Sequence, residues 1–305
     1  MKIRFLCLLL LLGVAPAARA LDAGKASFTI AVKGEENPYT IFSVFVMPGE
    51  TFPLSSRSVL EITSAKVTIN RTSDLAYTLT APGTSGLHTV SLRDMRGGSM
   101  TLNVLVLTPM EAMKGEHLNG YRIGEYPSTP LRGNPIYNKP QGLLEVTPAL
   151  AKLQLTPHFT LGQFLCKQAG DYPKYILVRE RLLLKLEYLL QVVNAQGYSI
   201  DTFGFISGYR TPFYNKAIGN VQYSRHVWGG AADIIIDENN DGSLDDLNKD
   251  GRIDEADVQV FYDLVNALYG EPYYDQFIGG LGFYRKNSRH NGFIHVDVRG
   301  TKARW

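Results

Sequence analysis

The 305-residue sequence has few cysteines and no apolar run long enough to span a membrane. Its two cysteines are Cys7 and Cys166, and Cys7 lies in a leucine-rich run over residues 5–14. That run is about half of the roughly 20 residues that a membrane-spanning helix needs. No similar run follows it, so no membrane span is expected once it is removed. Cys166 would then be alone, which excludes an internal disulfide.

The beginning of the chain has the layout of a secretory signal. Lys2 and Arg4 precede the apolar run, and Ala18-Arg19-Ala20 follows it. A basic start, a short apolar segment and an A-x-A box predict a signal peptide over residues 1–20, cleaved after Ala20. The protein is therefore expected to be secreted or periplasmic.

The charge balance excludes one class of partner. The chain has 31 basic and 29 acidic residues, and three of the basic ones lie within residues 1–20. The rest of the chain is therefore almost neutral, without the basic excess typical of nucleic-acid-binding proteins. Nucleic acid is not an expected partner. The 45% of apolar residues can form one large core or two moderate ones.

The first third of the chain is dominated by β-sheet signals. Short β-branched and aromatic runs alternate with turn residues and predict strands at 27–32, 40–46, 66–70, 77–80, 88–92 and 100–107. Strands at this spacing are typical of a small antiparallel, Ig-like sandwich. We predict an all-β domain over residues 21–119, with a spacer, docking or carbohydrate-binding role. A Pro- and Gly-rich linker is predicted over residues 120–154.

Residues 155–305 have a mixed pattern. Apolar stripes at helical spacing predict helices over 177–195 and 255–269, each followed by a glycine. Short apolar runs predict strands at 203–206, 231–236 and 293–298. The whole chain is therefore predicted to be α+β, with its chemistry in this second domain.

Two imidazoles and a carboxylate stand out in that domain. His226 and Asp233 belong to the sequence S-x-H-x-x-G-x-A-x-D, and His295 begins an H-x-D sequence. Two His and one Asp are a ligand set of hydrolytic zinc sites, whose fourth position holds a water. This order resembles the zinc D-Ala-D-Ala carboxypeptidase family of murein peptidases, which shares the hedgehog-type fold. The resemblance implies an exported zinc metallopeptidase that hydrolyses peptidoglycan stem peptides, as a carboxypeptidase or an endopeptidase.

The resemblance also implies roles for neighbouring residues. Arg210, in a Ser-Gly-Tyr-Arg element, would contact the substrate carboxylate or the oxyanion, and Ser224 would hold the substrate backbone. The family commonly has an acid three residues before the last histidine, where this chain has Gly292. Asp297 is one candidate for the missing general base, although it is equally suited to orienting a ligand. His290 is the other candidate.

The glycine at position 292 leaves a second function open. A zinc-binding cell-wall scaffold without catalysis would keep the metal ligands and would not need the acid. A third reading keeps the peptidase but moves the cleaved bond to an L-alanyl-D-glutamate or a cross-bridge peptide. The sequence does not separate these specificities, because they depend on the shapes of loops around the site.

An acidic insert over residues 237–257 lies between the zinc ligands. It repeats D-x-N-x-D-G-x-(Leu/Ile)-D with a period of nine, which is the oxygen-ligand spacing of an EF-hand loop. An Asp at the last loop position resembles dockerins. Both copies need Asn248, so two full independent sites are excluded, whereas a shared pair of ions is compatible with the spacing. We predict structural calcium on Asp246, Asn248, Asp250, Asp254 and Asp257, with Asp237, Asn239 and Asp241 in the first copy.

Overall fold

The computed structural model describes residues 21–288 and 290–305. The predicted signal peptide, residues 1–20, lies outside the described residues. Within the described residues, no helix is long and apolar enough to cross a membrane.

The first part of the chain forms two β-sheets. The strands are β1 (Lys25–Val32), β2 (Glu35–Tyr39), β3 (Ile41–Val46), β4 (Thr51–Ser56), β5 (Leu60–Ser64), β6 (Thr68–Arg71), β7 (Ala76–Thr80), β8 (Gly86–Asp94) and β9 (Ser99–Val106). One sheet has the order β2-β1-β4-β7-β6 and the other β3-β9-β8-β5. Neighbours are antiparallel except β3 and β9, which run parallel. The prediction of a purely antiparallel sandwich is wrong for this pair, and the Ig-like topology stays a prediction.

All six predicted strands correspond to strands of the structure, but β2, β4 and β5 are absent from the prediction. Proline explains two of these omissions, since Pro38 lies in β2 and Pro53 in β4, and proline argues against a strand. Strand β4 nevertheless alternates strictly, with Phe52 and Leu54 buried between exposed neighbours. Its alternation was therefore a stronger signal than its proline.

A folded connection follows the two sheets. It contains β10 (Thr108–Pro109), β11 (His117–Leu118), β12 (Tyr121–Arg122), β13 (Gly142–Val146), β14 (Gln154–Thr156), β15 (Phe159–Thr160) and β16 (Lys174–Ile176). Short 3-10 helices lie at Met110–Ala112, Leu131–Gly133, Pro135–Tyr137, Leu150–Lys152 and Leu161–Phe164. Strands β10, β13 and β16 form a small sheet. The segment predicted as a linker is thus packed and structured, although the predicted domain boundaries stay a prediction.

The last part of the chain is a mixed α+β unit. Its elements are α1 (Glu180–Ala195), β17 (Gly204–Ser207), α2 (Pro212–Ala217), β18 (Ala231–Ile235), α3 (Glu255–Ala267), α4 (Pro272–Asp275), β19 (Gly280–Tyr284), β20 (Phe293–Asp297) and β21 (Ala303–Arg304). The sheet order is β17-β18-β20-β19-β21. The two predicted helices are present but shorter, because Arg179 is extended and α3 ends at Ala267.

Buried and partly buried polar contacts join the N-terminal sheets to the folded connection and to the start of α1 in the mixed unit. The hydroxyl of Ser43 on β3 donates to the carbonyl of Leu155 at 2.9 Å, and Asn103 on β9 donates to the carbonyl of Gln154 at 2.9 Å. At the start of α1, Glu180 accepts the backbone N–H of Phe45 at 3.0 Å. A buried polar group costs free energy unless it is paired. These contacts therefore favour the observed packing of the N-terminal sheets against the rest of the chain.

Candidate metal centre

The two central strands of the mixed sheet and a preceding turn bring three predicted zinc ligands together. On the antiparallel strands β18 and β20, Asp233 lies directly opposite His295. His226 lies in the 3-10 helix Arg225–Trp228, which ends at Gly229 in the left-handed region with φ 66°. A Cβ at Gly229 would lie 2.2 Å from the carbonyl oxygen of Leu177. The turn that aims His226 at the strands therefore requires glycine.

The distances between the three side chains suit a metal ion. His226 Nε2 lies 3.1 Å from Asp233 Oδ1 and 3.1 Å from His295 Nδ1, and the latter two atoms are 2.9 Å apart. Ligands bound tetrahedrally to zinc at about 2.0–2.1 Å would be about 3.3 Å apart. These side chains form the only convergent group of three or more His, Cys, Asp or Glu ligands among the described residues.

The outer hydrogen bonds determine which histidine nitrogens face the centre. His226 Nδ1 donates to the carbonyl oxygen of Gly208 at 2.6 Å, and His295 Nε2 donates to Asp297 Oδ2 at 3.2 Å. Each neutral imidazole then directs its unprotonated nitrogen toward Asp233. Three acceptor atoms facing one another within about 3 Å repel unless a proton or a metal cation lies between them. The donor set therefore fits zinc.

Burial and neighbouring charges set the protonation of this group. Burial lowers the pKa of His226, which favours the neutral form that binds metal. Burial also acts to lower the pKa of His295, but Asp233 and Asp297 outweigh it and the pKa is raised. Burial acts to raise the pKa of Asp233, yet the adjacent histidines hold it far below its usual range. Asp233 is therefore ionised, as a metal ligand must be.

Arg210 contacts Asp233 on the side of the carboxylate that faces away from the two histidines. Its Nη2 is hydrogen-bonded to Asp233 Oδ2, its Nε donates to Ser207 Oγ at 2.8 Å, and only 7% of the residue is exposed. The first contact occupies the outer oxygen of Asp233, so the other oxygen faces the histidines. Arg210 thus orients a ligand, a role that adds to its predicted contact with substrate.

Asp297 is enclosed on the far side of His295. It is fully buried, its carboxylate accepts the backbone N–H of Gly280 at 2.8 Å, and Arg299 donates to both of its oxygens. Burial acts to raise the pKa of Asp297, but His295 and Arg299 hold it far below its usual range. Of the two predicted roles for Asp297, this environment favours orienting His295 over accepting a proton from a substrate water.

A buried lysine is hydrogen-bonded to the backbone at Asp297. Lys185 on α1 is fully buried and donates to the carbonyl oxygens of Phe277 at 3.2 Å and Asp297 at 2.8 Å. Burial lowers the pKa of Lys185 from 10.5 to about 7. Between these values the unfolded chain binds a proton that the native chain does not, so stability rises with pH from about 7 toward 10. Below about pH 7 Lys185 is protonated in the native chain, and the full cost of burying its charge lowers the stability.

We expect Lys185→Met to remove this rise. Urea unfolding of the metal-free protein at pH 7, 8 and 9 measures it, with chelator present so that metal binding does not contribute. The wild type should gain stability across the series, while the variant should stay nearly level. Equal slopes in the two proteins would show that Lys185 is not the titrating group.

His290, the other candidate for the general base, lies next to the centre rather than in it. It lines an adjacent cavity of about 270 Å³ with Ile206 and Leu244, and its Nδ1 accepts the backbone N–H of Gly292 at 3.2 Å. Burial lowers the pKa of His290, which keeps the ring neutral near pH 7. Both ring nitrogens are hydrogen-bonded, however, Nδ1 to the N–H of Gly292 and Nε2 to Asn287 Nδ2 at 2.8 Å, so His290 would have to release one of these contacts to accept a proton.

The three ligands form part of the floor of a cleft of about 610 Å³, called the metal cleft below. Four aromatic residues line it as two contacting pairs, Tyr137 with Tyr223 and Tyr284 with Trp305, and Ser224 also lines it. The ring centroid of Trp305 is 5.1 Å from that of His295. Tyr137 comes from the predicted linker, so that segment contributes a wall. Asp233 has the only carboxylate side chain among the described residues that line this cleft.

Sequence reasoning missed several residues of the cleft. Arg225, Arg299, Tyr137 and Trp305 were not predicted as site residues. Arg299 had a usable signal, since His295, Asp297 and Arg299 follow one another at two-residue spacing and share a face of an extended chain. The other three had none, because their positions depend on contacts between distant segments.

The acidic insert repeats its backbone structure as well as its sequence. Asp237 accepts the N–H groups of Asp241 and Gly242, and Asp246 accepts those of Asp250 and Gly251 in the same way. The fourth position of each copy, Asn240 or Lys249, has positive φ. The two copies therefore form matching loops.

The remaining predicted calcium ligands have other contacts in this structure. Asn239 and Asn248 each accept a backbone N–H from the fifth loop position. Asp254 and Asp257 form a capping box at the start of α3, and Asp257 is fully buried with both oxygens accepting backbone N–H groups. The insert carboxylates do not meet as a three-residue cluster among the described residues.

These features define a class of protein: a mixed α+β domain with a buried His-Asp-His metal site at the base of an aromatic-walled cleft. Residues 158–265 match the sequence family Peptidase M15. The match includes His226 and Asp233 and ends before His295. It supports a zinc metallopeptidase of that family for this part of the chain, in agreement with the resemblance predicted from the motifs.

The other comparisons add little. No curated protein matches the chain. Among solved structures, domains 4 and 5 of the S-layer protein SbsC are 17% identical with a TM-score of 0.18, covering 27% of this chain and 54% of that one. The S-layer protein rSbsC(31-844) is 20% identical with a TM-score of 0.19, covering 28% and 14%. These scores are too low to bear on fold or function.

Proposed function

We propose that the protein is an exported zinc metallopeptidase that hydrolyses peptidoglycan stem peptides, as a D-Ala-D-Ala carboxypeptidase or a murein endopeptidase. The observation that carries the proposal is the convergence of His226 Nε2, Asp233 Oδ1 and His295 Nδ1 in the cleft, within a segment that largely matches Peptidase M15. The signal peptide predicted over residues 1–20 supports export, which would locate the enzyme in the periplasm or outside the cell.

Zinc held by these three residues would supply an activated water and would polarise the scissile carbonyl. The chain's own residues prepare the site. Gly208 and Asp297 fix the tautomers of His226 and His295, so that both present a bare nitrogen. Arg210 holds Asp233 and carries a positive charge toward developing oxyanion charge. Ser224, beside His226, is placed to hold the substrate backbone.

The general base is assigned to His290. Asp297 is enclosed by Arg299 and Gly280, whereas His290 is partly exposed and close enough to Asp233 for their charges to interact. Catalytic hydrogen bonds are often long in structures without substrate, and a loop carries His290 beside the metal cleft. Release of one of its two ring hydrogen bonds would free a nitrogen of His290, and a proton could then reach that nitrogen through one water.

A second candidate function is a zinc-binding cell-wall scaffold without catalysis. One observation favours it: no described carboxylate other than Asp233 lines the metal cleft. In such a protein the ligands and aromatic walls would bind a stem peptide and release it unchanged.

Mass spectrometry of muropeptides separates these functions. Peptidoglycan is incubated with the mature protein, with chelator, and with chelator followed by zinc. A peptidase would remove a terminal alanine or cleave a cross-link, and the product would identify the bond. This reaction should stop when chelator is added and resume when zinc is added back. An unchanged muropeptide profile, with zinc bound and the protein sedimenting with the wall, would support the scaffold.

We further propose that the insert binds structural calcium. The matched loops carry the oxygen spacing of EF-hand sites, and the crowding of negative charge adds support. Burial and the nearby Asp237, Glu238 and Asp241 carboxylates raise the pKa of Asp245. Calcium should raise the unfolding temperature of the wild type, and Asp250→Ala should reduce that gain. The same gain in both proteins would refute this site.

A further inference from the structure

Three arginine side chains line the metal cleft, and one of them differs from the others. Arg210 is paired with Asp233, and Arg299 is paired with Asp297 at 2.5 Å. Arg225 forms no ion pair with any described carboxylate. Arg225 directly precedes the predicted metal ligand His226 and occupies an unspecified position of the S-x-H motif.

Arg225 also makes fewer hydrogen bonds than a buried guanidinium usually does. Only 3% of the residue is exposed. Its Nη1 donates to the carbonyl oxygen of Ile136 at 3.1 Å, and the guanidinium lies 4.8 Å from the ring centroid of Tyr137. Its Nε is buried without a hydrogen-bond partner. Buried charges are normally paired, because desolvation costs more than one neutral hydrogen bond restores.

No neighbouring acid is free to compensate this charge. The nearest candidate is Asp297, whose oxygens are occupied by Arg299, His295 and the backbone N–H of Gly280. Asp233, the only described carboxylate lining the cleft, is committed to Arg210 and the two histidines. The charge of Asp297 acts on Arg225 at a distance, but neither acid is free to pair with it, so a carboxylate of a ligand in the cleft would supply the missing partner.

We propose that Arg225 is a carboxylate-binding subsite of the metal cleft, and that the cleft's ligand is a peptide with a free carboxylate close to the bond presented to the metal. The planar fork of a guanidinium matches a carboxylate bidentately. Arg299 adds positive charge in the same cleft. The identification of the ligand as a peptide rests on the proposed function, but the requirement for a carboxylate does not.

The test compares two peptides that differ only in this charge. Diacetyl-L-Lys-D-Ala-D-Ala as the free acid and as its C-terminal amide are titrated calorimetrically into metal-free protein, so that the acid cannot bind zinc. A charge-assisted hydrogen bond predicts that the acid binds about tenfold to hundredfold more tightly. Arg225→Met should remove most of this preference, leaving only the weaker attraction of the paired arginines, and Arg225→Lys should retain part of it.

Matched controls keep the result interpretable. Arg93→Met removes an exposed arginine of β8 and should keep the full preference, and thermal unfolding reports whether each variant is folded. If Arg225→Met does not fold, Arg225→Lys and the wild-type comparison carry the test. Equal binding of acid and amide by the wild type, or a full preference in a folded Arg225 variant, would overturn the subsite.

The two proposals fail in different ways. A preference for the acid without hydrolysis by the zinc-loaded protein would refute the peptidase and leave the subsite. Hydrolysis of the peptide without any preference for the acid would refute the subsite and leave the peptidase.

Discussion

Replacing His226 with alanine is expected to abolish zinc-dependent hydrolysis. His226 supplies one of only three protein ligands, and loss of a mere outer-shell partner already costs about 10–100-fold in metal affinity. Removing a ligand should cost more than this. The fold should survive, because the variant also removes one of three mutually repelling acceptor atoms. Metal analysis after dialysis, together with the muropeptide assay, measures the effect.

The matched control is His117→Ala, which removes an exposed histidine of β11. It should bind one zinc per chain and retain wild-type activity. If His226→Ala bound zinc as the wild type does and hydrolysed peptides at the same rate, the assignment of this ligand would be wrong.

Restoring the family's acid by Gly292→Glu is expected to destabilise the protein rather than activate it. Gly292 has φ 108°, and a Cβ there would lie 2.4 Å from Val258 Cγ2 and 3.1 Å from the carbonyl oxygen of Tyr284. Val258 is 1% exposed within the packed face of α3. Backbone strain and overpacking together should cost about 2–6 kcal/mol. Chemical denaturation of wild type and variant measures this loss.

A smaller variant isolates the cause. Gly292→Ala adds only the Cβ, so it should show most of the same loss without a new charge. Adding Val258→Ala to Gly292→Ala should recover the steric part, giving a double variant more stable than the two single losses predict. A Gly292→Glu protein with wild-type stability and increased activity would show that this backbone accepts an acid and that the base belongs there.

The convergence of His226, Asp233 and His295 could be predicted from sequence, but the residues that support them could not. The spacing from His226 to Asp233, with Gly229 in between, indicated a turn into a strand, and the structure has this arrangement. The choice of ligand nitrogen depends on the carbonyl of Gly208, which reaches His226 only after two loops pack together. Arg225 likewise lacks a counter-charge only because distant segments occupy every nearby acid.

The fold shows the same division between local and long-range information. The apolar stripe of α1 and the alternation of most strands are local patterns, so they could be predicted with small errors at the ends. The parallel pairing of β3 with β9 joins segments about 60 residues apart and leaves no local mark. The predicted linker also appeared irregular, although its Tyr137 packs against Trp228 with ring centroids 5.2 Å apart.

The most direct test of the central claim is a zinc titration of the metal-free protein, with muropeptide hydrolysis measured at each step and calcium held constant. A single centre of His226, Asp233 and His295 predicts that the rate rises linearly and stops at one zinc per chain. Hydrolysis that proceeds unchanged without zinc, or zinc bound at one equivalent with no product at any step, would contradict a zinc peptidase.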